Sequence, residues 1–238
     1  MSSGGHTLKI YGAPFMRTAR VLFMLEELQL AYENIETNPR IGMQTPTPEY
    51  ERYKENINRY GKVPTLVDHG FVLNESAAIV NYLCDQYGKG RYIPKPGSQE
   101  RAQYDALCYT LMTELDSQSL YIHRKHVGLQ NMYGNAPIAV EAAKKYFDKQ
   151  FPIFCERLKH SRYFMGDDIM GIDILATHTI LWAKAIGWYA DDLSHVNTYL
   201  GRMCAKPSFR RAFEQRVPFV YSSGIKYVQT MPAASSKL

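Results

Sequence analysis

The sequence has few cysteines and no long apolar run, and both absences narrow the class of protein. Its 238 residues include four cysteines: Cys84, Cys108, Cys155 and Cys204. They lack the spacing of a metal site or a redox motif, so we expect reduced thiols in an intracellular compartment and no bound metal. Since no apolar stretch could span a bilayer and residues 1–6 are polar, we also expect no membrane partner and no signal peptide.

A strong excess of charge of one sign is also absent. The formal net charge is +5, and the basic residues form no clustered patch of the kind that nucleic-acid binding requires. We therefore expect no nucleic-acid partner, whereas the modest positive charge is compatible with a small anionic substrate. With 45% hydrophobic residues, the chain is long enough to bury one or two full cores.

The chain contains two parts with different patterns, separated by a segment rich in proline and glycine. Residues 87–98 read Tyr-Gly-Lys-Gly-Arg-Tyr-Ile-Pro-Lys-Pro-Gly-Ser, which ends the preceding helix and does not itself form one. Strand and helix patterns alternate before this segment, whereas helical periodicity dominates from residue 99 to about residue 215. We predict an α/β domain over residues 1–88 and an all-helical domain over residues 99–238 with a flexible C-terminal tail.

The first part has the pattern of a mixed α/β unit. Residues 8–11 predict an opening strand, residues 17–28 an amphipathic helix and residues 32–36 a returning strand, which together form a βαβ unit. The β-branched run at 63–67 and the apolar residues at 71–73 predict two strands joined by a turn. This segment offers a strand edge to which an extended peptide can add.

The end of the same segment predicts an anion site. Ser76 precedes an apolar helical run and is a good N-cap, and a helix start presents unpaired amide protons and a positive dipole end. Pro64 stands where a strand begins, and an X-Pro bond such as Val63–Pro64 adopts the cis form at low cost. A cis bond would turn the Val63 backbone outward, toward a ligand.

The order of Val63-Pro64, strand, turn, strand, Glu75-Ser76 and helix resembles the glutathione site of the cytosolic glutathione S-transferase family. The resemblance implies that the Val63 backbone, next to Pro64, pairs with the cysteine of glutathione like an added strand. It implies that Ser76 and the helix start bind the γ-glutamyl carboxylate, and that Glu75 binds the ammonium group. Lys62 is expected near the glycyl end.

This resemblance covers nearly the whole chain and implies both fold and function. We expect a thioredoxin-like α/β N-terminal domain and an all-α C-terminal domain. The expected enzyme conjugates the glutathione thiolate to a hydrophobic electrophile, as in detoxification, with glutathione as co-substrate and no cofactor. A homodimer is also expected from the family. The alternatives are a glutathione-dependent peroxidase acting on hydroperoxides and a non-catalytic glutathione-binding or protein-interaction module.

The chain departs from the serine-type, theta-like pattern at the residue that activates the thiol. Residues 11–21 read Tyr-Gly-Ala-Pro-Phe-Met-Arg-Thr-Ala-Arg-Val, so Met16 occupies the serine position of the glutathione site and has no proton to donate. Arg17 is our first choice as substitute, because a positive charge and a helix start both lower a thiol pKa. Thr18 offers a hydroxyl and Tyr11 a phenol, with a backbone or packing role as the alternative for each.

The helical part supplies two further predictions. Tyr109, Met112 and Tyr121 are expected to line the electrophile pocket, with a buried stripe as the alternative, since such residues at helical spacing usually form a core. Asp173 stands where relatives lock the start of a buried helix, but Met170 replaces the usual Ser or Thr. We expect Asp173 alone to accept backbone N–H bonds there, in a structural role.

The last three residues, Ser236, Lys237 and Leu238, match the peroxisomal address that an import receptor reads from an exposed C-terminus. The tail before them is small and polar, which favours exposure. We therefore expect a location in the peroxisome matrix, with the cytoplasm as the alternative.

Overall fold

The structure, a computed structural model, describes residues 7–213. Within that range the strands are β1 (Leu8–Tyr11), β2 (Tyr32–Ile35), β3 (Thr65–Asp68) and β4 (Phe71–Asn74). The α-helices are α1 (Thr18–Glu27), α2 (Pro39–Gln44), α3 (Pro48–Asn56), α4 (Ser76–Tyr87), α5 (Gln99–Thr110), α6 (Tyr121–His123), α7 (Gln130–Tyr133), α8 (Pro137–Cys155), α9 (Gly171–Ala185), α10 (Ser194–Cys204) and α11 (Pro207–Phe213). The π-helical stretches are Leu111–Leu120 and Arg124–Gly128, and Glu156–Lys159 is a 3₁₀ helix.

The strands form one mixed sheet in the order β2-β1-β3-β4. β1 pairs in parallel with β2 and antiparallel with β3, and β3 pairs antiparallel with β4. His69 and Gly70 form the turn between β3 and β4 with φ values of 48° and 84°, and positive φ at both central residues matches the twist of a hairpin. Ile10 and Leu66 pair across the centre of the sheet and are buried. The predicted thioredoxin-like α/β part is confirmed.

Helices α5 to α11 form the second, all-helical part, and almost every residue of its helix α9 is buried. The Asp173 carboxylate accepts hydrogen bonds from the backbone N–H groups of Phe164 (3.1 Å) and Met170 (2.8 Å). The predicted lock at the start of this helix is therefore confirmed, and it needs no hydroxyl side chain. None of the helices within residues 7–213 is long and apolar enough to cross a membrane.

Helix α1 joins the two parts, because it packs against α4 in the first part and against α9 and α11 in the second. The Phe23 ring meets the rings of Phe209 and Phe213 edge-on, at centroid distances of 5.4 and 6.1 Å. The residues that begin this helix therefore lie at the junction between the two parts.

The long helix that begins with α5 widens to π-helical geometry over Leu111–Leu120. Within it, the Ser119 hydroxyl donates to the Glu114 carbonyl oxygen five residues earlier (2.7 Å). π-Helical turns are rare and are frequently found at functional sites. Residues 112, 113, 116 and 117 of this stretch all line one cleft, which the first part closes from the other side.

Candidate functional site

The cleft between the first part and the π-helical stretch has a volume of about 400 Å³. Its lining residues are Arg17, Asn58, Tyr60, Lys62, Val63, Pro64, Asn74, Glu75, Ser76, Met112, Thr113, Asp116, Ser117 and Tyr121. Eight of these were predicted as site residues: Arg17, Lys62, Val63, Pro64, Glu75, Ser76, Met112 and Tyr121. The fold therefore brings residues predicted for glutathione and for the electrophile into one cavity.

A hydrogen-bond network fixes the loop that precedes β3. The Tyr53 hydroxyl and the Asn58 amide both donate to the Lys62 carbonyl oxygen, at 2.6 and 2.9 Å. The Thr65 hydroxyl, one residue after Pro64, contacts Tyr53 and Asn58 as well. The Val63–Pro64 bond is cis, as predicted. The backbone edge at Val63 is therefore held in a defined position beside the cleft.

The start of α4 differs from the prediction in one respect. Glu75, not Ser76, occupies the N-cap position, and Ser76 is the first helical residue. Glu75 has φ 69° and ψ 116°, a left-handed conformation that non-glycine residues rarely adopt and that occurs preferentially at binding sites. The Ser76 hydroxyl accepts a hydrogen bond from Arg20 (3.1 Å) instead of capping the helix. Both side chains still line the cleft.

Arg20 connects α4 to the helical part beneath the cleft. Its guanidinium is fully buried and donates to the Asp116 carboxylate at 2.6 Å and to the Thr179 hydroxyl at 3.0 Å. It also donates to His178 Nδ1 at 3.2 Å and lies 3.4 Å from the Met112 sulfur. A buried guanidinium requires such partners, because an unpaired charge in a protein interior is very costly.

Arg17 lies on the other side of Asp116 and lines the cleft itself. Its Nε donates to the Asp116 carboxylate at 3.1 Å, and its Nη2 donates to the second carboxylate oxygen. The guanidinium also stacks on two aromatic rings, at 4.9 Å from the Tyr121 centroid and 5.1 Å from the Trp182 centroid. The carboxylate of Asp116 and the two aromatic rings together fix the orientation of the Arg17 guanidinium.

The polar residues beneath the cleft carry an excess of positive charge. Burial opposes ionisation of Asp116, but Arg17 and Arg20 outweigh it and hold the pKa of this carboxyl well below its usual range. Burial and the same two guanidinium groups hold the pKa of His178 well below its usual value, so its imidazole is neutral. Two guanidinium charges therefore face one carboxylate, which favours an anion in the cleft.

Four predicted site residues do not line the cleft. Met16 is 7% exposed, and Thr18 is fully buried with its hydroxyl unpaired against the close approach of Gly12. The Tyr11 ring packs on Tyr53 at a centroid distance of 5.4 Å, in a separate cavity.

Tyr109 is the fourth of these residues, and its place differs from both sequence hypotheses. Its side chain is 71% exposed, so it belongs neither to the predicted electrophile pocket nor to a buried stripe. The long helix turns this residue outward, whereas Met112 and Tyr121 face the cleft.

Sequence reasoning missed the partners that fix Arg17. No functional role was predicted for Asp116, His178 or Trp182. Arg20 was named only as part of the sequence motif at residues 11–21. One signal was available: Arg20 interrupts an apolar helix, and a charge on a buried face requires a buried partner of opposite sign.

Comparison with known proteins agrees with this geometry. The family model for the N-terminal domain of glutathione S-transferases matches residues 6–85, and the model for the C-terminal domain matches residues 101–207. The glutathione S-transferase hmp2 of Hypomyces subiculosus is 30% identical over 221 residues, which cover 86% of this chain and 97% of that protein. The chain belongs to the glutathione S-transferase family.

Solved structures of the family share the fold. A delta-class glutathione transferase of Nilaparvata lugens is 28% identical, with a TM-score of 0.72 over 87% of this chain and 93% of that chain. A theta-class enzyme of Xanthomonas axonopodis pv. citri, solved with glutathione bound, is 24% identical with a TM-score of 0.69 over 87% and 97% of the two chains. The predicted combination of a thioredoxin-like domain and an all-α domain is confirmed.

The family assignment confirms the interpretation of this chain as a glutathione S-transferase enzyme that uses glutathione as co-substrate. The assignment of individual residues to glutathione or to the electrophile stays a prediction, as does the homodimer. The C-terminal tail and the signal formed by Ser236, Lys237 and Leu238 lie outside the described residues, and the peroxisomal location also stays a prediction.

Proposed function

We propose that this enzyme conjugates the glutathione thiolate to a hydrophobic electrophile that binds beside it in the same cleft. The observation that carries this proposal is the convergence of the Val63 edge, the Glu75–Ser76 helix start and the Arg17 guanidinium on one cavity of about 400 Å³. Each supplies a different requirement of the reaction, namely peptide pairing, recognition of the amino-acid end and stabilisation of negative charge.

Glutathione fits the first side of this cleft as an extended tripeptide. The backbone of Val63 pairs with the cysteinyl residue like an added strand. The γ-glutamyl carboxylate accepts from the Ser76 hydroxyl and the amides at the start of α4, where the helix dipole favours an anion. Glu75 binds the γ-glutamyl ammonium group, and Lys62 lies on the side of the glycyl carboxylate.

Thiol activation is assigned to Arg17. Its fixed guanidinium lines the cleft, and Arg17 is the N-cap of α1, at the end of the helix where the dipole is positive. A free thiol has a pKa of about 8.5, and each unit of depression requires about 1.4 kcal/mol of preferential thiolate stabilisation. A single interaction with a charged donor provides that amount.

The second side of the cleft receives the electrophile. Met112 and Tyr121 offer an adaptable thioether and an aromatic face, while Thr113 and Ser117 supply polar contacts. The reaction forms a bond between the glutathione sulfur and an electrophilic carbon, whose leaving group departs with the former bonding pair. The thiol proton passes to solvent.

Purified protein assayed with glutathione and the aryl halide chlorodinitrobenzene tests this proposal, and we expect saturable conjugation. Ser76→Ala should weaken glutathione binding about ten- to a hundredfold, since a hydrogen bond to a charged group contributes about 1.5–3 kcal/mol. Calorimetry measures the binding, and circular dichroism controls for the fold. Wild-type affinity in the folded variant would overturn the assignment of Ser76, and turnover of organic hydroperoxides without conjugation would replace the proposed reaction.

We further propose that the enzyme acts as a homodimer. Three large aromatic side chains of the first part and of α5 are exposed: Tyr60 by 77%, Phe71 by 51% and Tyr109 by 71%. Large exposed aromatic side chains of this kind are typical of protein interfaces.

A further inference from the structure

We propose that His178 is a positioning residue for glutathione binding, because its imidazole orients the buried Arg20 guanidinium and Arg20 in turn orients the Ser76 hydroxyl. The inference rests on the proposed function, since it concerns how the proposed γ-glutamyl site is held in place. It is carried by the hydrogen bonds that the Arg20 guanidinium forms beneath the cleft.

Each of the five N–H groups of the Arg20 guanidinium has an acceptor. Nε donates to one group, while Nη1 and Nη2 donate to two groups each. The acceptors are His178 Nδ1 at 3.2 Å from Nε, Ser76 Oγ at 3.1 Å and Met112 Sδ at 3.4 Å from Nη1, and Asp116 Oδ2 at 2.6 Å and Thr179 Oγ1 at 3.0 Å from Nη2. Because the guanidinium is a rigid plane, the acceptor at Nε also determines where the two Nη groups point.

The two nitrogens of the His178 ring have different partners, which fix its tautomer. Nδ1 accepts from Arg20 and therefore carries no hydrogen. The Met16 backbone also hydrogen-bonds to the imidazole and raises its pKa, as expected of a carbonyl that accepts from the second nitrogen, Nε2. Burial and the positive charges of Arg20 and Arg17 outweigh this interaction and hold the pKa of His178 well below its usual value. The ring is therefore neutral, with its lone pair directed at Arg20.

Arg20 reaches the ligand through Ser76, which lines the cleft. The Ser76 hydroxyl accepts from Arg20, and since a hydroxyl has one hydrogen to donate, that hydrogen is directed to the γ-glutamyl carboxylate. A hydroxyl that accepts from a cation is also polarised, which strengthens the hydrogen bond that it donates. Removal of the His178 acceptor would leave a buried N–H group without its partner, and this cost favours a guanidinium that turns away from Ser76.

Calorimetry with glutathione measures the predicted effect, and circular dichroism controls for the fold. His178→Leu removes the acceptor and should weaken glutathione binding about three- to tenfold, within the range by which residues of a buried network modulate a distant site. His178→Asn should keep the wild-type affinity, because its amide oxygen reaches the place of Nδ1.

Thr177→Val is the matched control on the same helix. The Thr177 hydroxyl is buried and donates to the Asp173 carbonyl oxygen at 2.7 Å, away from Arg20. Its loss removes a buried hydrogen bond of α9 without changing the acceptors of Arg20, so we expect the wild-type affinity for glutathione.

A double-mutant cycle separates positioning from a general loss of structure. If His178 acts through Ser76, His178→Leu should weaken binding little further when Ser76 is already replaced by alanine. Additive losses in the two variants would overturn the proposal. Wild-type affinity in folded His178→Leu, or an equal loss in His178→Asn, would overturn it as well.

The pair His178→Asn and His178→Gln decides the question if His178→Leu does not fold. Glutamine carries the same amide one carbon further from the backbone, so it displaces the acceptor from the place of Nδ1. Weaker glutathione binding by His178→Gln alone would support the proposal, and equal affinities of the two variants would overturn it.

The outcome for the wild type distinguishes this inference from the proposed function. If the wild type binds glutathione but does not conjugate chlorodinitrobenzene, the proposed reaction fails, and the cycle still decides the role of His178. If the wild type conjugates the halide but the cycle is additive, the reaction stands and the positioning role is overturned. If the wild type binds no glutathione, both proposals fail.

Discussion

At the residue scale, Met16 occupies the position where serine-type relatives carry a hydroxyl, and we propose that a guanidinium takes over its role. Met16 has no proton to donate, and the two hydroxyl candidates lie away from the cleft, with Thr18 buried against Gly12 and Tyr11 packed on Tyr53. Arg17 lines the cleft and is oriented by Asp116. The ranking of Arg17 above Thr18 and Tyr11 therefore has a geometric basis in addition to the motif.

Arg17→Ala is expected to raise the pKa of the bound glutathione thiol and to lower kcat more than Thr18→Ala or Tyr11→Phe. The physical reason is loss of a guanidinium that lines the cleft and that we propose stabilises the thiolate. Ultraviolet absorbance of the thiolate against pH measures the pKa, and single-turnover kinetics measures the chemical step. Met16→Ser should leave turnover unchanged or improve it, because it restores a hydroxyl donor at the serine position.

A thiol pKa in Arg17→Ala equal to that of the parent, together with loss of the thiolate in Thr18→Ala or Tyr11→Phe, would contradict this ranking. A hydroxyl would then carry the chemistry despite the apo geometry. If the parent enzyme itself never ionises the thiol, the non-catalytic glutathione-binding alternative gains support.

Sequence reasoning at this scale predicted which residues close together in the chain meet at one cleft, while their roles toward glutathione stay predictions. Val63, Pro64, Glu75 and Ser76 all line the cleft, since a strand, a turn and a helix start fix their relative positions locally. It failed for Tyr109, which is exposed, because one helical stripe does not reveal which side of the helix another domain covers.

At the element scale, the strands and helices of the first part follow the predicted order, but the π-helical geometry of Leu111–Leu120 does not appear in the sequence. Apolar positions three and four residues apart predict a helix of α-helical period, and a π-helical stretch inside it is too rare to be expected from such a pattern. The widened turn matters because Asp116 reaches Arg17 and Arg20 from it. The partner of these arginines is 99 and 96 residues away along the chain, a separation that no local pattern encodes.

The contact between this π-helical stretch and α1 predicts a pH dependence of stability. Asp116 has a pKa held well below that of about 3.9 in an unfolded chain. Because the folded pKa is lowered, the ionised carboxylate stabilises the fold above the unfolded pKa, and this contribution is lost as pH falls through the folded pKa. Asp116→Asn should lower the free energy of unfolding by about 3–5 kcal/mol at pH 7, since it leaves two guanidinium groups without a carboxylate.

Urea unfolding of both proteins between pH 7 and pH 3 measures this effect, and the difference between them should shrink in the acidic range. Asp148→Asn is the matched control, because Asp148 forms a surface ion pair with Lys144 on α8 and its loss should cost about 0–1 kcal/mol. An equal difference between wild type and Asp116→Asn at every pH would show that Asp116 is not the ionised partner of the two arginines.

At the scale of the whole molecule, the two parts are connected through α1 in two ways. Phe23 packs on Phe209 and Phe213, while Arg17 and Arg20 pair with Asp116. The apolar contact supplies non-directional burial, and the ionic contact fixes the orientation of groups that line the cleft. The two sides of the cleft, which we propose bind glutathione and the electrophile, therefore meet at α1, whose N-cap is the proposed thiol-activating residue Arg17.

The same scale includes the proposed homodimer, for which the chain pattern showed only compatibility. We expect light scattering at micromolar concentration to give about twice the chain mass of 27.3 kDa. Tyr109→Ser and Phe71→Ser should weaken the dimer, because each removes an exposed aromatic side chain that an interface would bury, and large aromatic side chains dominate interface energetics. Ile138→Ser is the comparator, since Ile138 is 82% exposed at the start of α8, outside the proposed interface elements. A monomer mass for the wild type at all concentrations would refute the proposed dimer, whereas equal dissociation of all three variants would place the interface elsewhere.

Because Tyr60 is both 77% exposed and part of the cleft lining, a dimer that buries it would close one end of the active site with a second copy of the chain.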